Sequence, residues 1–290
     1  MKVYQISFSP TGGTKKAADI LTGALNGETE VIDLTNAHGN FGSVALTKED
    51  IAVIAVPSYG GRVPGTATER LAKVHGNGAR AVLVCVYGNR AYEDTLVEML
   101  DTARQAGFNV IAAVAAIAEH SIARQFAAGR PDAEDSKVLA GFAAQIQAKI
   151  TAGDTSEPAL PGNRPYKKSG GAGMVPKATR DCVGCGICAK ECPVGAIDAQ
   201  DPKKVNGNVC ISCMRCVAVC PHSARKVNPV MMTAACVQQD DYAIMKPDNS
   251  CGCHLIFWKY IEVCRWLIIE NCPGMRLTEN YLIGLSATRW

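Results

Sequence analysis

The chain has 290 residues, enough for one large domain or two modest ones, and its 48% hydrophobic content with 6% aromatics builds an aliphatic core. The net charge is only +3, and no basic run interleaved with aromatics is present, which argues against a nucleic-acid partner. No segment reaches the roughly 18 uninterrupted apolar residues that span a bilayer, the nearest, 255–269, being broken by Lys259, Glu262 and Arg265. Residues 1–10 read as strand rather than leader, so the expectation is a soluble, cytoplasmic protein.

Residues 1–152 alternate short apolar runs with helical stretches. The spacing predicts strands over 3–8, 31–34, 51–56, 81–86 and 110–117, and helices over 14–25, 66–74, 92–106 and 132–150. Strands that are apolar throughout and separated by helices imply a parallel sheet covered on both faces, a doubly wound α/β domain of five strands. Cys85 reads as a buried core residue, and His38, His75 and His120 belong to no group of ligands.

Residues 153–173 crowd together Gly153, Pro158, Pro161, Gly162, Pro165, Gly170, Gly171 and Gly173, the composition of a linker or an irregular strap between domains. A small cysteine-rich module follows over 174–229. The 14 cysteines suit either disulfides or metal thiolates, and their distribution decides for metal. Only Cys85 precedes residue 182, and eight of the others form two matched quartets: Cys182, Cys185, Cys188, Cys192 before Pro193, and Cys210, Cys213, Cys216, Cys220 before Pro221.

Equivalent positions lie 28 residues apart, so the module is an internal duplication. Three cysteines at this spacing wrap one corner of a cubane, and the fourth, on the following helical turn, ligates the opposite cluster. One [4Fe–4S] cluster is therefore assigned to Cys182, Cys185, Cys188 and Cys220, and the other to Cys210, Cys213, Cys216 and Cys192. Zinc competes, but its sites use two well-separated cysteine pairs rather than compact quartets followed by proline. Gly184, Gly186 and Gly195 let the backbone close around a cluster.

The first predicted strand runs into Ser9-Pro10-Thr11-Gly12-Gly13-Thr14 and directly into a helix. Amides at a helix N-terminus attract anions, and the hydroxyls of Ser9, Thr11 and Thr14 add donors. With GxxxxGK[ST] and GxGxxG both absent, the loop suits one terminal phosphate, or serves only as turn and cap. Two later loops, Pro57-Ser58-Tyr59-Gly60-Gly61-Arg62-Val63-Pro64 and Tyr87-Gly88-Asn89-Arg90-Ala91-Tyr92, leave the carboxyl ends of the third and fourth strands. Ligands of open α/β sheets bind there, beside the switch point between strands one and three. The tyrosines either offer a face to a flat ring or cap the sheet, and Arg62 and Arg90 read equally as surface cations and as ligand contacts.

SPTGGT, PSYGGRVPG and VYGNRAYED resemble the three flavin loops of flavodoxins. Their order ahead of a 2[4Fe–4S] module is similar to that of the flavodoxin–ferredoxin fusion proteins of anaerobes, over about residues 1–229. The resemblance implies an FMN whose phosphate sits on Ser9, Thr11, Gly12, Gly13 and Thr14. It places the isoalloxazine between Pro57, Ser58, Tyr59, Gly60, Gly61 and Arg62 on one side and Tyr87, Gly88, Asn89 and Tyr92 on the other. Lys15 and Lys16 depart from the many flavodoxins that use no cation after the phosphate loop. His222-Ser223 stands where the first repeat has Val194-Gly195, and His222 either tunes a cluster or occupies an exposed turn.

The expected function is electron transfer between bound FMN and two [4Fe–4S] clusters, as a low-potential carrier that serves redox partner proteins and needs no acid–base catalyst. Two alternatives stay open: a flavin-dependent reductase fed by its own clusters, and a redox-sensing binding module. Residues 230–290 hold Trp258, Trp266, Trp290 and the cysteines Cys236, Cys251, Cys253, Cys264 and Cys272 in irregular spacing. They admit a third metal site at Cys251-x-Cys253-His254, a packed apolar segment over 255–269, or a shifted reading frame after Thr233, and no function is assigned to them.

Overall fold

The computed structural model describes residues 1–168, 170 and 173–231, so the readings made for the tail beyond 231 lie outside the described residues, as does Gly171 of the linker. Strands β1 (Lys2–Ser7), β2 (Glu28–Asp33), β3 (Ile51–Pro57), β4 (Arg80–Tyr87) and β5 (Asn109–Ile117) form one parallel sheet in the order β2-β1-β3-β4-β5. This is the flavodoxin-like doubly wound order, with its switch point between β1 and β3.

The period of two along the central strands sends alternate residues to opposite cores. Ile51, Val53 and Ala55 of β3 and Val82, Val84 and Val86 of β4 meet helices α1 (Gly13–Gly23) and α4 (Ala133–Thr151) through Ala17, Leu21, Leu139, Phe142 and Ile146. Ala52, Ile54 and Val56, with Leu83 and Cys85, pack under α2 (Gly65–Leu71) and α3 (Thr95–Gln105) through Ala67, Leu71, Leu96, Met99 and Ala103. Each fully buried Leu, Ile, Phe or Met contributes roughly 1.5–3 kcal/mol. Cys85 is fully buried, and burial holds its thiol far above the ordinary range.

Two expectations change. β2 is not apolar throughout: it is the sheet edge, mostly exposed, with Val31 at 50% exposure, so its sequence is Glu28-Thr29-Glu30-Val31-Ile32-Asp33. α3 begins at Thr95 rather than 92, because Glu93 takes a φ of 41° and Asp94 caps the helix start.

The module beyond residue 173 is small. β6 (Lys177–Ala178) pairs antiparallel with β7 (Arg225–Lys226), and the short helices α5 (Ile187–Lys190) and α6 (Arg215–Ala218) each carry the third cysteine of a quartet. Its buried cluster is Cys188, Cys192, Ala196, Ile197 and Cys216, too little apolar surface to hold a module of this length without a further crosslink.

Between the two units the chain is tied down rather than loose. The buried Asp94 carboxylate accepts from Asn163 N and Nδ2 at 2.8 and 3.1 Å and from Lys167 N at 2.7 Å. Those amides, first that of Lys167, hold its pKa below the ordinary carboxylate value. Asp101 takes Arg164 and the Tyr166 hydroxyl, Arg104 reaches Glu157, and Leu160 packs on the core. Residues 157–167 thus form a strap along α3.

Candidate functional site

The loop after β1 carries the first candidate site. Gly12 caps α1 with a φ of 95°, a left-handed conformation that turns the chain into the helix. Among the described residues, no acceptor takes the amides of Thr11, Gly12, Gly13 and Thr14. These are orphan donors at the positive end of an eleven-residue helix, the arrangement that favours an anion. Ser9 has a second job: its Oγ accepts from Lys15 N at 2.8 Å while its own amide donates to Thr35 Oγ1. The two cations that follow are turned away, Lys15 to Asp19 and Lys16 to the Pro131 carbonyl.

The loop after β3 is a two-residue hairpin. Tyr59 and Arg62 exchange backbone bonds of 2.9 and 3.2 Å, and Gly60 and Gly61 both have positive φ, 59° and 82°, as a type I′ turn demands. Gly61 also leaves no room for a side chain, because a Cβ there would meet Glu93 Cβ at 2.8 Å. Ser58 N donates to Val86 O and its hydroxyl bonds Thr95 Oγ1, fastening the hairpin to β4 and α3. The Arg62 guanidinium is committed to Glu98 (2.7 and 2.8 Å), the Lys167 carbonyl and the Tyr166 ring. Its role is to anchor hairpin, helix and strap together, and Pro57 is half-buried at the strand end.

In the loop after β4, Tyr87 is buried and meets Tyr92 edge to face, ring centroids 5.3 Å apart. Gly88 lies under His120, whose Cβ would stand 2.9 Å from a Cβ there, and Asn89 takes a φ of 66°. His120, which the sequence left without a role, closes this end of the sheet: its Nδ1 accepts from the amides of Ile122 and Ala123, and burial lowers its pKa. Asp94 N donates to Gly61 O, so the two later loops are joined.

In the cysteine module, two small cavities occupy equivalent places in the duplication. Cys182, Cys185, Cys188 and Cys220 line the first; Cys210, Cys213, Cys216 and Cys192 line the second. The nine described cysteines are all free thiols, and no three metal-binding side chains among the described residues converge as around a single ion. Matching amide-to-sulfur bonds run from Ala196 N to Cys192 and from Ala224 N to Cys220, each 3.3 Å. Burial pushes the thiols of Cys213 and Cys216 up to about 12, so thiolates here need a metal to stabilise them. His222 is exposed at the rim of the first cavity.

The second cavity faces the sheet domain. Ile211 packs on its core, Arg70 of α2 donates to the Pro193 carbonyl, and Arg215 of α6 donates to the Pro10 carbonyl at 3.2 Å and to Glu191 at 2.5 Å. Tyr59 is half-buried, and burial pushes its phenol upward. Neither Arg215 nor Arg225 was foreseen. The signal was available in the duplication, where they replace Ile187 and Ile197.

Residues 181–224 match the family of 4Fe-4S dicluster domains. The chain is 44% identical over 55 residues to Ferredoxin-2 of Chlorobaculum tepidum, covering 17% of this chain and 89% of that protein. The cysteine module belongs to the dicluster ferredoxins, and it follows a sheet domain of flavodoxin-like strand order. It is also 46% identical over 103 residues to the polyferredoxin protein MvhB of Methanothermobacter marburgensis, 35% of this chain but 23% of that protein's length. Among solved structures, a flavodoxin from the domain Archaea is 15% identical with a TM-score of 0.38, covering 52% of this chain and 99% of that one. The module is of the iron–sulfur electron-transfer type, and no helix among the described residues is long and apolar enough to cross a membrane.

Proposed function

We propose that the fusion moves electrons between FMN held by the three loops and two [4Fe–4S] clusters, one in each cysteine-lined cavity, as a low-potential carrier for redox partner proteins. The observation that carries this reading is the seating of the second cavity against the sheet domain beside the first loop, through Arg215 on Pro10 and Arg70 on Pro193. The residues suit the groups: orphan amides at 11–14 for a phosphate, and a quartet of thiols around each cavity for a cubane. When bound, the flavin supplies one- or two-electron exchange and the clusters single-electron exchange.

The chain's own part is positional. The I′ hairpin and the tyrosine pair shape the ring site, Gly12 aims amides at the phosphate, and the Ala196 and Ala224 amides favour the thiolate form of their cysteines. Quantitation of iron, acid-labile sulfide and flavin on one anaerobically purified sample tests the reading, with about eight iron, eight sulfide and one FMN per chain expected. Full clusters without flavin would remove the flavin half of the proposal.

A further inference from the structure

Arg225 is the one buried cation among the described residues, at 3% exposure. The other buried charges are carboxylates, Asp50, Asp94, Glu98 and Asp135, and each accepts from an amide or an arginine. Arg225 has no carboxylate partner among the described residues. Its Nη1 donates to Pro176 O at 3.3 Å, its Nη2 to the Pro202 carbonyl and to Cys188 Sγ at 3.3 Å, and its Nε is buried with no acceptor. A buried, unpaired guanidinium carries a heavy desolvation penalty, so the fold needs a negative group at this spot. The first cavity, which Arg225 helps to wall, is where that charge belongs.

The duplication supplies a control. At the place of Arg225 the second cavity has Ile197. That cavity has its own arginine, Arg215, but Glu191 neutralises it in an ion pair of 2.5 Å. Exposure separates the cavities in the same sense: Cys185 and Val183 of the first stand in solvent, whereas Cys213 and Met214 of the second are buried. The field of Arg225 also reaches Cys216, yet its N–H···S bond goes to Cys188 alone. Reducing a cluster adds one electron and no proton, so its negative charge grows by one. An uncompensated cation and contact with water both favour the more negative state.

We propose that Arg225 is the counter-cation of the first cluster and makes it the first of the two to be reduced, so that an electron entering through the flavin-side cluster comes to rest on the outward one. This rests on the reading that each quartet holds a [4Fe–4S] cluster, and Arg225 acts on it as a positioning residue. The test is a dithionite titration of full-length holoprotein, with hyperfine-shifted cysteine β-proton signals assigning each midpoint to its quartet.

In the wild type the first cluster is expected to fill before the second. Arg225→Met should shift the first cluster's reduced-to-oxidised ratio at least tenfold toward oxidised, about 59 mV for one electron, and move the second less than half as far. Arg225→Lys, which keeps the charge, should preserve the order. A wild type whose second cluster fills first overturns the proposal, as does a fully loaded Arg225→Met with both midpoints unmoved or equally moved. If Arg225→Met fails to load, Arg225→Lys decides: preserved order supports the proposal and reversed order sinks it. Absence of iron and sulfide from the wild type would overturn the cluster reading itself, a failure distinct from these.

Discussion

The two halves of the ferredoxin module correspond position for position at an offset of 28 residues, yet one faces water and the other faces a protein domain. Both halves need left-handed backbone at the same three places around the cavity. The first meets the need with Gly184, Gly186 and Gly195 (φ 74°, 76° and 63°), the second with Ser212, Met214 and Ser223 (φ 52°, 61° and 49°). A non-glycine residue there costs roughly 1–2 kcal/mol. In exchange the second half gains side chains: Met214 is 3% exposed and walls its cavity, where the first half has only Gly186. The cavity dictates the backbone, and the surroundings dictate whether a side chain is worth the strain.

Removal of the crossed cysteines breaks the comparison most severely. Cys220→Ala should abolish the cluster of the first half and Cys192→Ala that of the second, each leaving about half the iron. Magnetic resonance of the surviving cluster identifies it, and a Cys220→Ala protein that keeps the cluster of Cys182, Cys185 and Cys188 would end the crossed assignment.

Asp94→Ala comes next, because three donors from the strap lose one buried acceptor. About 3 kcal/mol of stability should disappear, read by chemical denaturation followed by circular dichroism. The sign with pH follows from the lowered pKa of Asp94: its contribution is complete above the ordinary carboxylate value and is lost as pH falls through the depressed one. The stability difference between wild type and Asp94→Ala should therefore shrink in acid, and a difference that grew on acidification would contradict the assignment.

Smallest are the exchanges that make the halves alike. Gly186→Ala should destabilise by about 1 kcal/mol, from strain in the left-handed region with open space around it. Ser212→Gly should stabilise by a smaller amount, under ~1 kcal/mol, because relief of the left-handed strain is set against the loss of a side chain that is only 5% exposed. Thermal unfolding of anaerobic holoprotein measures both, and equal effects of the same sign would show that φ is not what separates the halves.

The sheet was legible because central parallel strands are buried on both faces, so runs such as Ile51–Pro57 have no polar residue to obscure them. β2 was read short because an edge strand needs no apolar face, and its Glu28-Thr29-Glu30 start resembles a loop. The cysteine quartets stood out by spacing, and each cavity draws its walls from the cysteines that spacing paired. Arg215 and Arg225 are invisible to cysteine spacing, since they stand where the first half carries Ile187 and Ile197 and differ from it only in the side chain. The strap was hidden for another reason: Asp94 grips it largely by backbone amides, and amides leave no mark in composition.

Each cavity takes its fourth wall cysteine from the opposite half, and this orders events during synthesis. The chain through α4 carries every strand of the large sheet and can fold while the remainder is still on the ribosome. Neither cavity gains its full set of thiols that early: the second waits for Cys216 and the first for Cys220. Both are completed late and within four residues of each other, beside a domain whose strands are all already made.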